Sequence, residues 1–159
     1  MSLVCPCGGD GGATAYDDCC RPFHIGGIAP TANKLMRSRF SAFVLKNIDY
    51  IIDTTLPTQQ EQLDKAALQA WADEMHWTHL QIKNHFPKIG KRHATVHFCA
   101  YFDNGMGKVG CHDELSAFVW VQDRWYFLDP TLPIHLTNKQ PCLCGSGEKF
   151  KACCAKFLF

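Results

Sequence analysis

Nothing in these 159 residues approaches the ~18 uninterrupted apolar residues of a membrane-spanning helix, so an integral helical membrane protein is not expected. The first residues are too poor in apolar side chains, and reach cysteine too early, for a secretory signal peptide. A charge excess is absent too: the formal net charge is +1, which removes whole-molecule attraction to nucleic acid or anionic lipid and leaves only local patches to consider. There is no specific nucleic-acid motif, no low-complexity segment and no internal repeat beyond the cysteine pattern described below. A soluble, cytoplasmic protein follows, long enough to bury one sizeable core. What the chain does have is ten cysteines. In a small secreted protein they would suggest a disulfide scaffold, but a chain without an export signal meets reducing thiols, and metal becomes the leading explanation.

The hydrophobic period divides the chain. From Lys34 to about Thr54 there is no Gly or Pro, and Phe40, Phe43, Val44, Ile48 and Ile51 recur at helical spacing. A second helix is expected after Pro57, opened by a Thr58/Glu61 capping box, with Leu63, Ala67, Ala70 and Trp71 on one face and an end near Met75. From Thr78 the period becomes two: Leu80, Ile82 and Phe86, then Ala94, Val96, Phe98, Ala100 and Phe102. Asn104-Gly105 supplies a hairpin turn, Val109 to Val121 a third strand, and Asp123-Arg124 a tight turn into a fourth, Trp125 to Leu128. Helices followed by a four-stranded meander predict an α+β domain with helices on one face of a curved sheet.

Eight of the ten cysteines form two groups of four: Cys5, Cys7, Cys19 and Cys20, and Cys142, Cys144, Cys153 and Cys154. Zinc takes four ligands at tetrahedral corners, and soft thiolates suit it, although the same softness admits iron. In the rear group Cys142-Leu143-Cys144 is followed by Gly145-Ser146-Gly147, small residues that let backbone N–H groups approach sulfur. The front group repeats the plan with Cys5-Pro6-Cys7 and a glycine-rich run, but places eleven residues before its Cys-Cys pair where the rear places eight. Adjacent cysteines bridge each other only with strain, which argues against simple disulfides. Four cysteines close the coordination shell, so these sites predict structure or recognition and leave no position to activate water. Residues 1–23 carry three aspartates and one arginine, whereas 139–159 carry four lysines and one glutamate. Lys149 and Lys151 with Phe157, beside Phe150, Leu158 and Phe159, therefore offer basic charge and apolar anchors to a partner, or else merely pack and solubilise.

The run from Pro141 to Cys154 (Pro-Cys-Leu-Cys-Gly-Ser-Gly-Glu-Lys-Phe-Lys-Ala-Cys-Cys) closely resembles the SEC-C motif, the metal knuckle at the C-terminus of the SecA translocation ATPase. A copy at each end enclosing Leu35–Val44, Asp49–Ile52, Glu114–Phe118 and Trp125–Asp129 resembles the YchJ-like bacterial family. That resemblance implies a middle domain of the nuclear-transport-factor type, a cone of helices wrapped by a bent sheet. It also implies that all eight cysteines bind metal, and that the rear knuckle docks on a protein or ribosomal partner. The expected organisation is a front knuckle at 1–23, a central cone at 24–138 and a rear knuckle at 139–159.

Cones of this type enclose pockets. His112, Glu114, Ser116 and Phe118 share one face of the third strand, Arg37 and Arg39 come from the first helix, and Asp129 ends the fourth strand. An arginine near Glu114 or Asp129 makes either an anion site or a buried ion pair, and spacing does not separate them. The plainer expectation is Arg37 or Arg39 bonded to Glu114, fixing helix on sheet. Cys99 and Cys111 lie on neighbouring strands and could pair across the hairpin, but buried free thiols are the plainer expectation. The scattered histidines lack ligand spacing, and the four tryptophans are expected in the core. The primary expectation is a metal-binding adaptor with the cone as scaffold; the alternative is a small enzyme or ligand-binding protein with its site inside the cone. The oligomeric state is undecided by the sequence.

Overall fold

A computed structural model describes residues 3–103 and 105–158. Six helices, α1 (Arg21–His24), α2 (Ala32–Val44), α3 (Ile48–Asp53), α4 (Pro57–Gln60), α5 (Lys65–Glu74) and α6 (Ala155–Leu158), accompany four strands, β1 (His76–Ile89), β2 (His93–Asp103), β3 (Val109–Val121) and β4 (Arg124–Leu128). The strands form one antiparallel meander in the order β1-β2-β3-β4. The α+β domain expected from the change of period, helices on one face of a curved sheet, is what forms. Bulges along β1 bend the sheet around the helices. The Asn104 half of the expected hairpin turn lies outside the described residues, while Gly105 takes the left-handed conformation that the turn needs.

Both long helices anticipated from the sequence are broken. Lys46 adopts φ 62° after α2, and the Asn47 side chain accepts the backbone N–H of Tyr50 to begin α3 anew. Likewise the stretch from Pro57 splits at Asp64, whose carboxylate caps α5 through the N–H of Ala67 at 3.1 Å. The expected Thr58/Glu61 capping box does not form. Thr58 Oγ1 instead donates to the carbonyl of Leu143 at 2.7 Å, 85 residues away. Each correction has one cause: an Asn or Asp side chain that caps locally outcompetes helix continuation.

The termini belong to the core. The inner cluster joins Leu35, Phe40 and Ile51 with Val96, Phe98 and Phe118, and includes Cys5, Cys7 and Cys20. A second cluster lies on the other face of the sheet, where Ala117, Val119, Tyr126 and Leu128 pack on Cys142, Cys144, Phe150, Cys153 and Cys154. The cone is closed by the chain after α3: Leu56 N–H donates to Phe127 O at 2.9 Å and Phe127 N–H to Thr54 O at 2.8 Å. No helix among the described residues is long and apolar enough to cross a membrane.

Candidate functional site

The two knuckles share one backbone plan. In front, Val4 bridges Ala15, Cys5 N–H donates to Thr14 O at 2.8 Å, and a 3-10 turn at Tyr16–Asp18 presents Cys19 and Cys20. Behind, Pro141 bridges Lys149, Cys142 N–H donates to Glu148 O at 2.8 Å, and a 3-10 turn at Phe150–Ala152 presents Cys153 and Cys154. The front loop's extra length is absorbed by glycines: Gly9 sits at φ +79°, and a Cβ there would collide with the carbonyl oxygen of Gly12.

In each cluster the four sulfurs lie within 4.8 Å of one another, so each set could hold a metal ion. Seven of these eight cysteines are buried and Cys19 is half-buried. The thiols already contend for protons. Hydrogen bonds from Cys20 and Cys7 drive the Cys5 thiol down, while burial pushes Cys19 up to about 12. Such a set is suited to losing protons to a cation. The domain contacts both cysteine clusters through side chains of its own. Ser41 Oγ lies 3.3 Å from Cys20 Sγ and 3.4 Å from Cys5 Sγ, and Arg37 Nη1 donates to the carbonyls of Cys7 and Gly9. At the rear, His93 Nε2 is 3.4 Å from Cys154 Sγ, and Arg92 Nη1 reaches Cys153 Sγ at 3.8 Å and Glu148 at 3.0 Å. These contacts carry no local sequence signal, whereas the two groups of cysteines that they support do.

The predicted partner surface divides. Lys149 and Lys151 are exposed. Phe157 is half-buried, its ring stacked on His93 at 4.3 Å between centroids, so this apolar anchor serves the domain. Phe159 lies outside the described residues.

Inside the cone is a cavity of about 340 Å³ between α2, α3, α5 and the inner sheet face. Four of the five predicted pocket residues, Arg39, Glu114, Ser116 and Asp129, line it, together with Phe40, Phe43, Trp71, Trp77, Phe98 and Phe127. Arg37 does not. Two positions apart on a helix, Arg37 and Arg39 point about 200° apart, so α2 can aim only one of them inward.

The expected bond from Arg37 or Arg39 to Glu114 is also absent. Arg39 is buried, with Nη1 donating to Ile51 O (3.0 Å), Thr54 Oγ1 (2.7 Å) and Thr55 Oγ1 (3.4 Å), and its guanidinium lies 4.4 Å from the Phe127 ring centroid. Glu114 is held instead by His112 Nε2 at 2.8 Å and Ser116 Oγ at 3.1 Å. The Asp129 carboxylate is taken by the N–H and hydroxyl of Thr131, at 2.8 and 2.6 Å. Among the described residues no carboxylate is within ion-pair distance of Arg39. Burial lowers its pKa to about 10, partly offset by longer-range attraction from Tyr50, Asp129 and Glu114, so it stays charged at neutral pH. The Trp77 indole N–H is a buried donor without a hydrogen-bond partner among the described residues.

The third group overturns an expectation. Cys99 and Cys111 are joined as a disulfide, with Cα atoms 5.8 Å apart, where free thiols were expected. The register explains it: Cys99 faces Asp113 and Cys111 faces Tyr101, which sets the two cysteines diagonally on the outer sheet face.

Comparison with known proteins agrees with this architecture. Residues 31–130 match the model of "YchJ, middle NTF2-like domain", and residues 139–156 match the SEC-C motif. A "UPF0225 protein" of Actinobacillus succinogenes is 50% identical over 99% of this chain and 100% of its own length. One from Haemophilus influenzae is 48% identical over 99% and 96%. A crystal structure of a SEC-C motif containing protein from Psychrobacter arcticus superposes with a TM-score of 0.93 at 45% identity, covering 98% of this chain and 97% of that one. A solution structure of another from Rhodopseudomonas palustris gives 0.70 at 35% identity, covering 80% and 96%. The chain belongs to the YchJ-like family.

Proposed function

We propose that this family member is a metal-stapled ligand-binding protein: a zinc ion in each four-cysteine knuckle pins residues 1–23 and 139–159 onto the central unit, 24–138, whose cavity takes a small organic anion. The carrying observation is Arg39, a buried charge held in hydrogen bonds but opposed by no carboxylate in ion-pair range. A buried unpaired cation is costly, and a ligand carboxylate would supply the missing charge. Six aromatic side chains around it suit an apolar or aromatic ligand body. Zinc fits four clustered thiolates and a closed shell; iron is the alternative for the same donors. Glu114, oriented by His112 and Ser116 across the same cavity, is where acid–base chemistry would sit if the bound anion is turned over.

Trp71 and Trp77 line the cavity and report on it. Titration with 3-phenylpropionate should quench their fluorescence saturably, and 3-phenylpropionamide should bind at least about tenfold more weakly, since one lost charged contact exceeds about 1.4 kcal/mol. Equal affinity for acid and amide would remove the anion reading.

Docking through the rear knuckle is a second reading, favoured by the exposure of Lys149 and Lys151 on a motif fixed to the sheet. Co-sedimentation with ribosomes, or capture of one protein, that the Lys149→Glu/Lys151→Glu variant loses would support it. Retention by the variant would count against it.

A further inference from the structure

The disulfide on the outer sheet face stands in a setting that neither the knuckles nor the cavity uses. Cys99 Sγ, Cys111 Sγ and a carboxylate oxygen of Asp113 lie within 4.8 Å of one another. Asp113 is the direct cross-strand neighbour of Cys99, so the register of β2 and β3 sets the three groups together without help from a loop. Both oxygens of Asp113 are already oriented: Oδ1 is 2.7 Å from His97 Nε2 and Oδ2 is 2.6 Å from Lys83 Nζ. Each keeps a second lone pair. Cys99 is buried, whereas Cys111 and Asp113 are exposed, which leaves a path from solvent.

We propose that this is a third metal site, closed while the disulfide is intact and opened by reduction, in which Cys99, Cys111 and Asp113 bind Zn²⁺. A low-molecular-weight thiol supplies the electrons: two R–SH become R–S–S–R while the protein disulfide becomes two thiols. Binding of Zn²⁺ then releases two protons and forms two Zn–S bonds. Two thiolates and a carboxylate bring three negative charges, which Zn²⁺ and the Lys83 ammonium together offset. That balance gives Lys83 a role a bare cation competitor would not have. The fourth position falls to water, while His97 holds Asp113 from behind. Three protein ligands and one open or exchangeable position form a more labile site than the two knuckles, and one that the redox state of a single bond switches on or off.

The test is Zn²⁺ titration, followed calorimetrically, of the full-length chain with both knuckles already loaded. The reduced protein should take up one further equivalent and the disulfide form none. Cys111→Ser, which spares both knuckles, should take up none in either state, and Asp113→Ala should bind at least about tenfold more weakly. Near-ultraviolet and far-ultraviolet circular dichroism check that each variant is folded. No uptake by the reduced wild-type chain, or uptake that survives Cys111→Ser, overturns the proposal. Neither result bears on the cavity, which lies on the opposite sheet face.

Discussion

Replacing Arg39 with methionine should separate stability from ligand binding. The change removes the Nη1 donors to Ile51 O, Thr54 Oγ1 and Thr55 Oγ1. One nitrogen shared among three acceptors amounts to one or two charged hydrogen bonds, about 1.5–3 kcal/mol each. Against this, the wild-type protein holds a fully desolvated guanidinium without a counter-charge, a penalty of several kcal/mol that methionine of similar length does not carry. The two contributions nearly cancel, and stability should change by no more than about 2 kcal/mol in either direction. At this size that is a Tm shift within about 8 °C. Binding has no such compensation. Losing the guanidinium proposed to face the anion costs about 2–5 kcal/mol, a fall of about 30- to several-thousand-fold in carboxylate affinity. Thermal melts and tryptophan titrations on the same preparations measure both. A Tm loss beyond about 15 °C would make Arg39 a structural residue, and unchanged affinity for 3-phenylpropionate would take it out of the site.

Elemental analysis of protein purified without added metal should find two equivalents per chain, falling to one in the Cys153→Ser variant with the sheet intact. Arg92→Ala removes the contact to Cys153 Sγ and the pairing with Glu148, so zinc affinity at the rear knuckle should fall about 10- to 100-fold in chelator competition while the front knuckle is unchanged. His24 is half-buried, donates Nε2–H to Ser38 O at 2.8 Å and accepts the Tyr16 hydroxyl at Nδ1, and burial lowers its pKa. Because the unfolded chain binds that proton more readily, stability should be full above about pH 6.5 and decline as pH falls below it. In Tm-against-pH profiles the wild-type chain should therefore lose more between pH 7.5 and 5.5 than His24→Asn.

The sheet was readable because Val96, Phe98 and Ala100 recur at every second position, the period of a strand, even though Thr95 and Cys99 between them are buried as well. The two cysteine clusters were readable because their spacing is local. What escaped was whatever depends on a distant partner. Thr58 reads as a helix cap by its neighbours and acts as a clamp on Leu143. Arg92 and His93 carry no local signal of a role, yet they touch the sulfurs of residues 61 positions away. The Arg37–Arg39 error was avoidable, since a helix cannot turn both toward one cavity. The local anomaly in α2 was informative: Ser38, Arg39 and Ser41 are buried among Leu35, Phe40 and Ala42, and a helix that buries three polar residues has been shaped by something besides packing. Two of them serve the sites, Ser41 the front knuckle and Arg39 the cavity.

That division of α2 extends to the molecule. Its outward face grips the front knuckle through Arg37 and Ser41, and its inward face carries Arg39. The rear knuckle reaches the cavity by a separate route. Leu143 accepts from Thr58, the first turn of α4; the next residue, Gln59, clamps the backbone of Asp129 with two 2.9 Å hydrogen bonds, and Asp129 and Thr131 form part of the cavity wall. Metal at either end should therefore tune the cavity without touching the ligand. Thr58→Val cuts the rear route alone. It should leave two metal equivalents in place while weakening carboxylate binding by about fivefold, the equivalent of one hydrogen bond's net ~1 kcal/mol. Removing rear metal by Cys153→Ser should weaken binding at least as much, and adding Thr58→Val to it should do nothing more, because both act through the same contact. Additive losses in the double variant, or wild-type affinity in either single one, would show that the knuckle stabilises its own end of the chain and nothing beyond it.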